Sequence, residues 1–295
     1  MAAILTITSI NMAKANPAPA TVAILDTALN ASLPVFKDKI VQEVCILEWN
    51  SCPNGSNFME GPGAAFMPSS LIVQNGFDHG TKMAHASVLT NPNIKIVFVR
   101  IIGATATGVR QVTNEETFVK ALSWVSANKD KYNIKAVAMS QSHHNLAPLA
   151  NYCPSTPNTI NIIGTLASQD IPVFLPAGNM RDVNRVSWPS CIPAAVTISA
   201  TSVTDGPAVY TNYDKNITDL FALGRLRLMN PSGYLFNEDG TSVSTQIAAA
   251  VYMGLKVKNI SYTKDQIIDL MKQKSYPVKS RTITGLVVNK DILNG

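Results

Sequence analysis

The sequence predicts an α/β fold in which a mostly parallel central sheet carries helices on both faces. Short β-branched apolar runs alternate along the chain with helical patterns, as is typical of strands joined by crossover helices. The predicted strands are 21–26, 94–102, 134–140, 171–176 and 194–200. The predicted helices are 81–90, 115–128, 158–169, 242–254 and 264–274.

The helix pattern is clearest in the segment 115–128. Phe118, Leu122 and Val125 recur at spacings of four and three residues, which places them on one face of a helix that lies on a sheet. The segment 50–78 is instead rich in Gly, Pro, Asn and Ser. We interpret it as a long surface excursion between the first strand and the next helix.

Length and composition predict one extended domain. A chain of 295 residues, 46% of them hydrophobic, can bury a large core. We expect an N-terminal arm over residues 1–20 and a single folded domain over residues 21–295. The short apolar run within the arm has no positive residue before it and is followed by Lys14, so we do not interpret it as a signal peptide.

Charge and hydropathy exclude two classes of partner. No stretch approaches the roughly 18 uninterrupted apolar residues of a membrane span. The net charge of +5 comes from Lys and Arg scattered along the chain rather than from a block of like charges. We therefore expect a soluble protein that binds neither membrane nor nucleic acid, although its compartment and its oligomeric state stay undetermined.

Four cysteines leave the redox state open at this point. Cys45, Cys52, Cys153 and Cys191 allow three fully paired connectivities. Cys45 and Cys52 flank a turn-like segment and could close a small loop. Reduced, buried thiols fit the sequence equally well.

Three short motifs bring an acid, an imidazole and a hydroxyl into the chain. Asp26 ends the apolar strand of VAILDT, His79 opens a helical run in DHGTKMA, and Ser242 begins another in DGTSVST. A serine hydroxyl needs an adjacent base to become a nucleophile, and that base needs a partner that fixes its tautomer. The order Asp, His, Ser therefore predicts a catalytic triad.

A fourth element is the segment FLPAGN at 174–179. A strand-like run ends there in Gly178, which permits an unusual turn, and Asn179, whose side-chain amide can donate a hydrogen bond to a developing oxyanion. With the backbone N–H of Ser242 it would form a two-donor oxyanion hole.

These motifs resemble those of the subtilisin-like serine proteases, the subtilases, and the resemblance runs from about residue 20 to 275. It implies a subtilisin-like three-layer fold, with residues 21–295 as the peptidase catalytic domain. It also implies a serine endopeptidase that works through an acyl-enzyme on protein or peptide substrates, with no cofactor required. Ser242 would be the nucleophile, His79 the general acid and base, Asp26 its orienting partner, and Asn179 an oxyanion donor.

The resemblance also implies where substrate binds. The strand end AVAMSQS, the oxyanion segment and the segment that begins at Val186 match regions that line the S1 pocket. The implied substrate-binding residues are Ser140, Gln141, Ser142, Pro176, Ala177, Gly178 and Ser187. No acidic residue is among them, so we expect an apolar rather than a basic P1 side chain. Trp188–Pro189 is expected to be a cis peptide bond.

Several residues depart from the usual subtilase pattern. His85 stands where a glycine is usual, Gln246 where a proline is usual, and Ser142 where a glycine is usual. The departures at His85 and Gln246 motivate an alternative hypothesis, a catalytically silent protease-like fold that serves as a peptide-binding or structural module. A zinc site at His79 and His85 is not expected, because six residues apart on a helix they do not share a face.

Three further expectations concern metal, cleft edge and maturation. Asp205, Asp214 and Asp219 lie in a loop-rich region and make a structural calcium ion possible. His143 and His144 could reach the cleft edge, although adjacent histidines in a polar loop are more often simply exposed. Because Asp26 comes so early, we expect either a mature form or a chain that folds without a propeptide.

Overall fold

The computed structural model describes residues 19–68, 76–104, 114–142, 153 and 156–294. The strands are β1 (Thr21–Asp26), β2 (Ile40–Ile46), β3 (Phe58–Glu60), β4 (Ile96–Arg100), β5 (Ile134–Met139), β6 (Val173–Pro176), β7 (Val196–Thr201), β8 (Thr218–Leu223), β9 (Arg225–Met229), β10 (Leu235–Asp239), β11 (Tyr276–Pro277) and β12 (Leu286–Val287). The helices are α1 (His79–Thr90), α2 (Glu115–Asn128), α3 (Pro157–Ser168), α4 (Thr241–Lys258) and α5 (Lys264–Lys274), with short 3-10 helices at Pro34–Phe36 and Lys290–Leu293. Most of the predicted arm at 1–20, and both His143 and His144, lie outside the described residues.

Ten strands form one sheet in the order β11-β12-β8-β7-β6-β5-β1-β4-β2-β3, and β9 and β10 form a separate antiparallel hairpin. Across the sheet, the neighbouring strands between β12 and β2 all pair in parallel. The two edge strands, β11 and β3, pair antiparallel with β12 and β2. In this sheet β2, β3 and β4 lie on one side of β1, and the strands that follow them in the chain, from β5 onward, lie on the other side. In a parallel sheet such a switch point opens a crevice at the carboxyl ends of the strands, where ligands bind.

The predicted three-layer arrangement is confirmed. Side chains of the central strands alternate between two cores: Val22 and Ile24 face one, Ala23 and Leu25 the other. The first core packs against α1, α4 and α5, and the second against α2 and α3. Among the described helices, none is long and apolar enough to cross a membrane.

The five predicted strands and five predicted helices are all present, with ends shifted by four residues or fewer. The sequence did not predict β2, because Gln42 and Glu43 interrupt its apolar run. Glu43 is buried in the structure and accepts hydrogen bonds from the backbone N–H groups of Gly63 and Ala65, at 3.0 and 3.2 Å. The interpretation of 50–78 as a plain surface excursion was incomplete, because β3 lies within it and pairs with β2.

Two disulfide bonds resolve the open connectivity. Cys45 at the end of β2 pairs with Cys52, and Cys153 pairs with Cys191. The first closes the small loop that the sequence suggested, and the second ties two segments 38 residues apart. The expected cis peptide bond at Trp188–Pro189 is present as well.

The β9–β10 hairpin is docked onto α1 through a buried histidine. The backbone N–H of Met229 donates to Nδ1 of His85 at 2.8 Å, and Lys82 pairs with Glu238 of β10 at 2.8 Å. His85 is only 4% exposed, and burial lowers the pKa of its imidazole below the ordinary value of 6.5. The residue that departs from the family pattern is therefore the hydrogen-bond acceptor that holds the hairpin.

This arrangement predicts a pH-dependent contribution to stability. In the unfolded chain His85 takes up a proton as the pH falls below about 6.5, whereas the folded protein keeps it neutral so that Nδ1 can accept. The free energy of unfolding should thus fall as the pH drops from 6.5 towards the lower folded-state pKa of His85. The loss should be about 1.4 kcal/mol for each pH unit by which that pKa lies below 6.5. The variant His85→Gln, which cannot titrate, should lose less stability than the native chain between pH 7.5 and 5.

Urea unfolding at the two pH values measures this difference. All other titrating groups are common to both proteins, so their contributions cancel in the comparison. Equal losses of stability in the two proteins would contradict a buried, neutral His85.

Candidate active site

The site begins at the carboxyl end of β1. Asp26 is the last residue of this central strand, and its side chain is completely buried. His79 is the first residue of α1, and its Nδ1 lies 2.7 Å from Oδ1 of Asp26. Since an ionised carboxylate only accepts hydrogen bonds, Nδ1 carries the proton and Nε2 is left as a base. The His79 side chain is 21% exposed.

The contact requires α1 to approach β1 very closely. A Cβ atom on Gly80 would lie 2.6 Å from the carbonyl oxygen of Ala28 and 2.8 Å from the ring of Phe98. Thr27 fixes the helix start as well, because its hydroxyl donates to the carbonyl of Phe77 and accepts from the N–H of Gly80, at 2.9 and 2.8 Å. Thr27 was not among the predicted site residues, although its place beside Asp26 was a usable signal.

Ser242 lies in the first turn of α4, directly after Thr241 and the N-cap Gly240. Its hydroxyl donates to the backbone carbonyl of Ser140 at 3.2 Å, and the Ser140 hydroxyl donates back to the Ser242 carbonyl at 3.2 Å. Ser140 follows β5, the strand paired with β1. The nucleophile candidate and the acid therefore lie at the same edge of the sheet.

Asn179 is held by the residue that precedes Ser242. Its Oδ1 accepts from both the backbone N–H and the hydroxyl of Thr241, at 2.9 and 3.0 Å. Both acceptor positions of the amide are engaged in this way, so Nδ2 remains a donor, and the residue itself is exposed. Thr241 is a second residue that was not among the predicted site residues, although it holds the side chain of Asn179.

The turn before Asn179 depends on Gly178. Its φ is +109°, a conformation that L side chains rarely adopt, and a Cβ atom there would lie 2.1 Å from the hydroxyl of Ser187. Its N–H donates to Thr241 Oγ1 at 3.2 Å, and its carbonyl accepts from the N–H of Asn212 at 2.8 Å. These contacts orient the segment towards the first turn of α4.

The seven predicted substrate-binding residues lie in three segments around this edge. Ser142 is half-buried, whereas the others are buried: Ser140, Gln141, Pro176, Ala177, Gly178 and Ser187. Ser187 packs beneath Gly178 and is fully buried. Gln141 turns its side chain towards Asp26, with Nε2 at 3.1 Å from Oδ1.

Gln246, one of the departures from the family pattern, forms part of the same polar network. Its Nε2 donates to the Ser140 hydroxyl at 2.8 Å, and its Oε1 accepts from the Ser87 hydroxyl at 2.8 Å. It is fully buried one turn after Ser242. The amide thus links α4, the end of β5 and α1.

A cationic group lies on the other side of β1. Arg100 is in register with Asp26 on the neighbouring strand β4, and its guanidinium donates to the carbonyls of Ile102 and Phe66 at 3.1 and 3.0 Å. Burial lowers the pKa of Arg100 to about 10, so the group remains charged at neutral pH.

The three aspartates considered for calcium have separate protein partners. Asp205 binds Tyr276 and Lys279, and Asp219 accepts from the N–H of Thr197 and pairs with Lys272. Asp214 accepts from the N–H of Asn216. In the part of the chain that the structure describes, no cluster of three or more His, Cys, Asp or Glu side chains is arranged to hold a metal ion. The three aspartates are therefore not gathered into one such cluster.

Comparison with solved structures finds proteins of similar fold. The fold is similar to a cold-adapted subtilisin-like serine proteinase, with a TM-score of 0.68 and 18% identity over 97% of this chain and 94% of that chain. It is also similar to a protease from Pseudoalteromonas arctica, with a TM-score of 0.72 and 19% identity over 94% of this chain and 89% of that chain. A comparison with curated protein sequences gives no match.

A sequence model of the subtilase family, peptidase family S8, matches residues 19–290. The match spans nearly the whole chain, including all the motifs described above. The chain belongs to the subtilase family and is a serine-type endopeptidase.

Proposed function

We propose that the chain hydrolyses peptide bonds through an acyl-enzyme, with Ser242 as nucleophile, His79 as general acid and base, and Asp26 as the residue that orients His79. The observation that carries this proposal is the 2.7 Å bond between His79 Nδ1 and the wholly buried Asp26 carboxylate. A buried carboxylate is costly unless it is paired, and this pairing places the hydrogen on Nδ1, so that Nε2 is the nitrogen that can act as the base.

The chemistry follows from these assignments. His79 Nε2 takes the proton of the Ser242 hydroxyl as Oγ attacks the substrate carbonyl, and Asp26 stabilises the imidazolium that forms. The imidazolium then gives its proton to the leaving amine, which departs and leaves an ester on Ser242. Water, activated by the same imidazole, hydrolyses this ester and regenerates the hydroxyl.

The tetrahedral intermediate carries a negative oxygen, for which we propose two donors. One is the Nδ2 amide of Asn179 and the other is the backbone N–H of Ser242, at the positive end of the α4 helix dipole. The two hydrogen bonds from Thr241 to Asn179 Oδ1 support this assignment, because they fix the amide before substrate arrives.

We propose protein or peptide substrates with an apolar P1 side chain. The seven residues around the cleft from Ser140 to Ser187 include no carboxylate that would pair with Arg or Lys, and their side chains are small or uncharged. The half-buried Ser142, three residues after the end of β5, would pair with an extended substrate backbone.

The alternative of a silent protease-like module rested on His85 and Gln246. Both residues make well-formed hydrogen bonds, to Met229 and to Ser140 and Ser87 respectively, so neither displaces the proposed catalytic groups. This geometry favours the catalytic hypothesis.

Replacing the nucleophile tests the proposal. Ser242→Ala and His79→Ala should each lower kcat for an apolar-P1 peptide by about 10⁴-fold or more, because triad members act as a unit. The matched control is Ser244→Ala on the same helix, whose hydroxyl donates to the Ala222 carbonyl at 3.0 Å, away from the proposed chemistry. Unchanged turnover in Ser242→Ala would overturn the assignment.

The oxyanion donor has its own test. Asn179→Ala should lower kcat by about 10²–10³-fold with little change in KM, a magnitude that itself comes from a subtilisin. The reason is that the amide acts on charge that develops only in the transition state. Asn184→Ala, a change of the same kind at another exposed loop position, serves as the control. A loss confined to KM would contradict the oxyanion role.

A further inference from the structure

Gln141 is a buried polar residue that contacts two of the proposed triad members. It follows Ser140 after the end of β5 and is 8% exposed. Its Nε2 lies 3.1 Å from Asp26 Oδ1 and 3.4 Å from His79 Nδ1. We propose that Gln141 is a positioning residue that fixes the Asp26 carboxylate and lowers the basicity of His79, an inference that rests on the proposed function.

The orientation of the Gln141 amide follows from its neighbour. A carboxylate oxygen only accepts hydrogen bonds, so the group that faces Oδ1 must be the NH₂ and not the carbonyl of the amide. Gln141 therefore donates to Asp26, as His79 does.

Three donors converge on one oxygen of Asp26. Oδ1 accepts from the backbone N–H of Thr27 and from His79 Nδ1, both at 2.7 Å, and from Gln141 Nε2. Oδ2 is buried and has no hydrogen-bond partner among the described residues. Donors from three different segments fix the rotation of the carboxylate, and the carboxylate in turn fixes the orientation of the His79 imidazole.

The same contacts have an electrostatic consequence. Gln141 stabilises the negative charge on Asp26. It also donates to Oδ1, the same oxygen whose charge would stabilise an imidazolium at His79. Its own N–H groups also present positive ends close to Nδ1, which carries a hydrogen. Both effects disfavour the charged imidazole, so we infer that Gln141 keeps His79 available as a base at lower pH.

The backbone around Gln141 is well anchored. Ser140, its neighbour, exchanges hydrogen bonds with Ser242 and accepts one from Gln246. One short segment therefore positions the proposed nucleophile through Ser140 and the proposed acid–base pair through Gln141. A leucine of similar size would fill the space at 141 but supply no donor.

The other charged groups near His79 would be unchanged in such a variant. Asp78, the N-cap residue of α1, pairs with Lys82 at 2.6 Å, and Glu238 of β10 pairs with the same lysine. Arg100 lies on β4 in register with Asp26. A shift in the titration of His79 would therefore report the loss of the amide.

The test is an NMR titration of the His79 imidazole in the native chain, Gln141→Leu and Gln141→Glu, with the signal assigned by its loss in His79→Ala. We expect the midpoint to rise by roughly 0.5 to 1 pH unit in Gln141→Leu. It should rise further in the isosteric Gln141→Glu, which places a second carboxylate beside the imidazole. Gln169→Leu is the matched control, because it loses a comparable bond to Ser126 far from the site.

Peptide cleavage supplies the second readout. The acidic limb of the kcat profile should move to higher pH in the same order as the NMR midpoints. KM should stay within about twofold, although Gln141 is among the predicted substrate-binding residues, because its side chain points towards Asp26 and acts through it. Unchanged midpoints in both variants, or a change in KM alone, would overturn the inference. A native chain that does not cleave peptides would refute the proposed function, whereas the NMR midpoints would still decide the role of Gln141.

Discussion

The buried carboxylate of Asp26 is the constraint on which the rest of the site depends. It lies at the end of the central strand β1, without solvent, so its charge must be met by donors from the protein. The backbone of Thr27, the imidazole of His79 and the amide of Gln141 provide them. Meeting that requirement fixes where α1 begins and explains why Gly80 must follow His79, since any side chain there would keep the helix away from β1.

A second set of short polar contacts joins α4 to this centre. Thr241 holds Asn179, and Ser242 and Gln246 hold the end of β5 through Ser140. These residues come from segments far apart in sequence that meet at the carboxyl ends of parallel strands, as expected for an open α/β sheet. The site is thus built from loops and helix starts whose positions the sheet determines, which gives the preorganisation that acyl transfer needs.

Sequence patterns predicted the layers of the fold, and they placed Asp26 at a strand end and His79 and Ser242 at helix starts, because buried strands and helix starts leave local signals. They did not predict β2, whose Glu43 is buried but satisfied by backbone N–H groups from a distant loop. Nor did they predict that Gln141 faces Asp26, or that His85 and Gln246 are hydrogen-bonded within the core. Each of these depends on a partner far away in the chain and on the direction of a side chain, neither of which periodicity encodes.

The central claim is that Asp26, His79 and Ser242 act together to activate one hydroxyl. Labelling with a fluorophosphonate, followed by mass spectrometry to locate the adduct, tests this claim without any knowledge of the substrate. We expect a single adduct on Ser242 that disappears in His79→Ala. A folded protein that stays unlabelled, or a label on another residue, would contradict it.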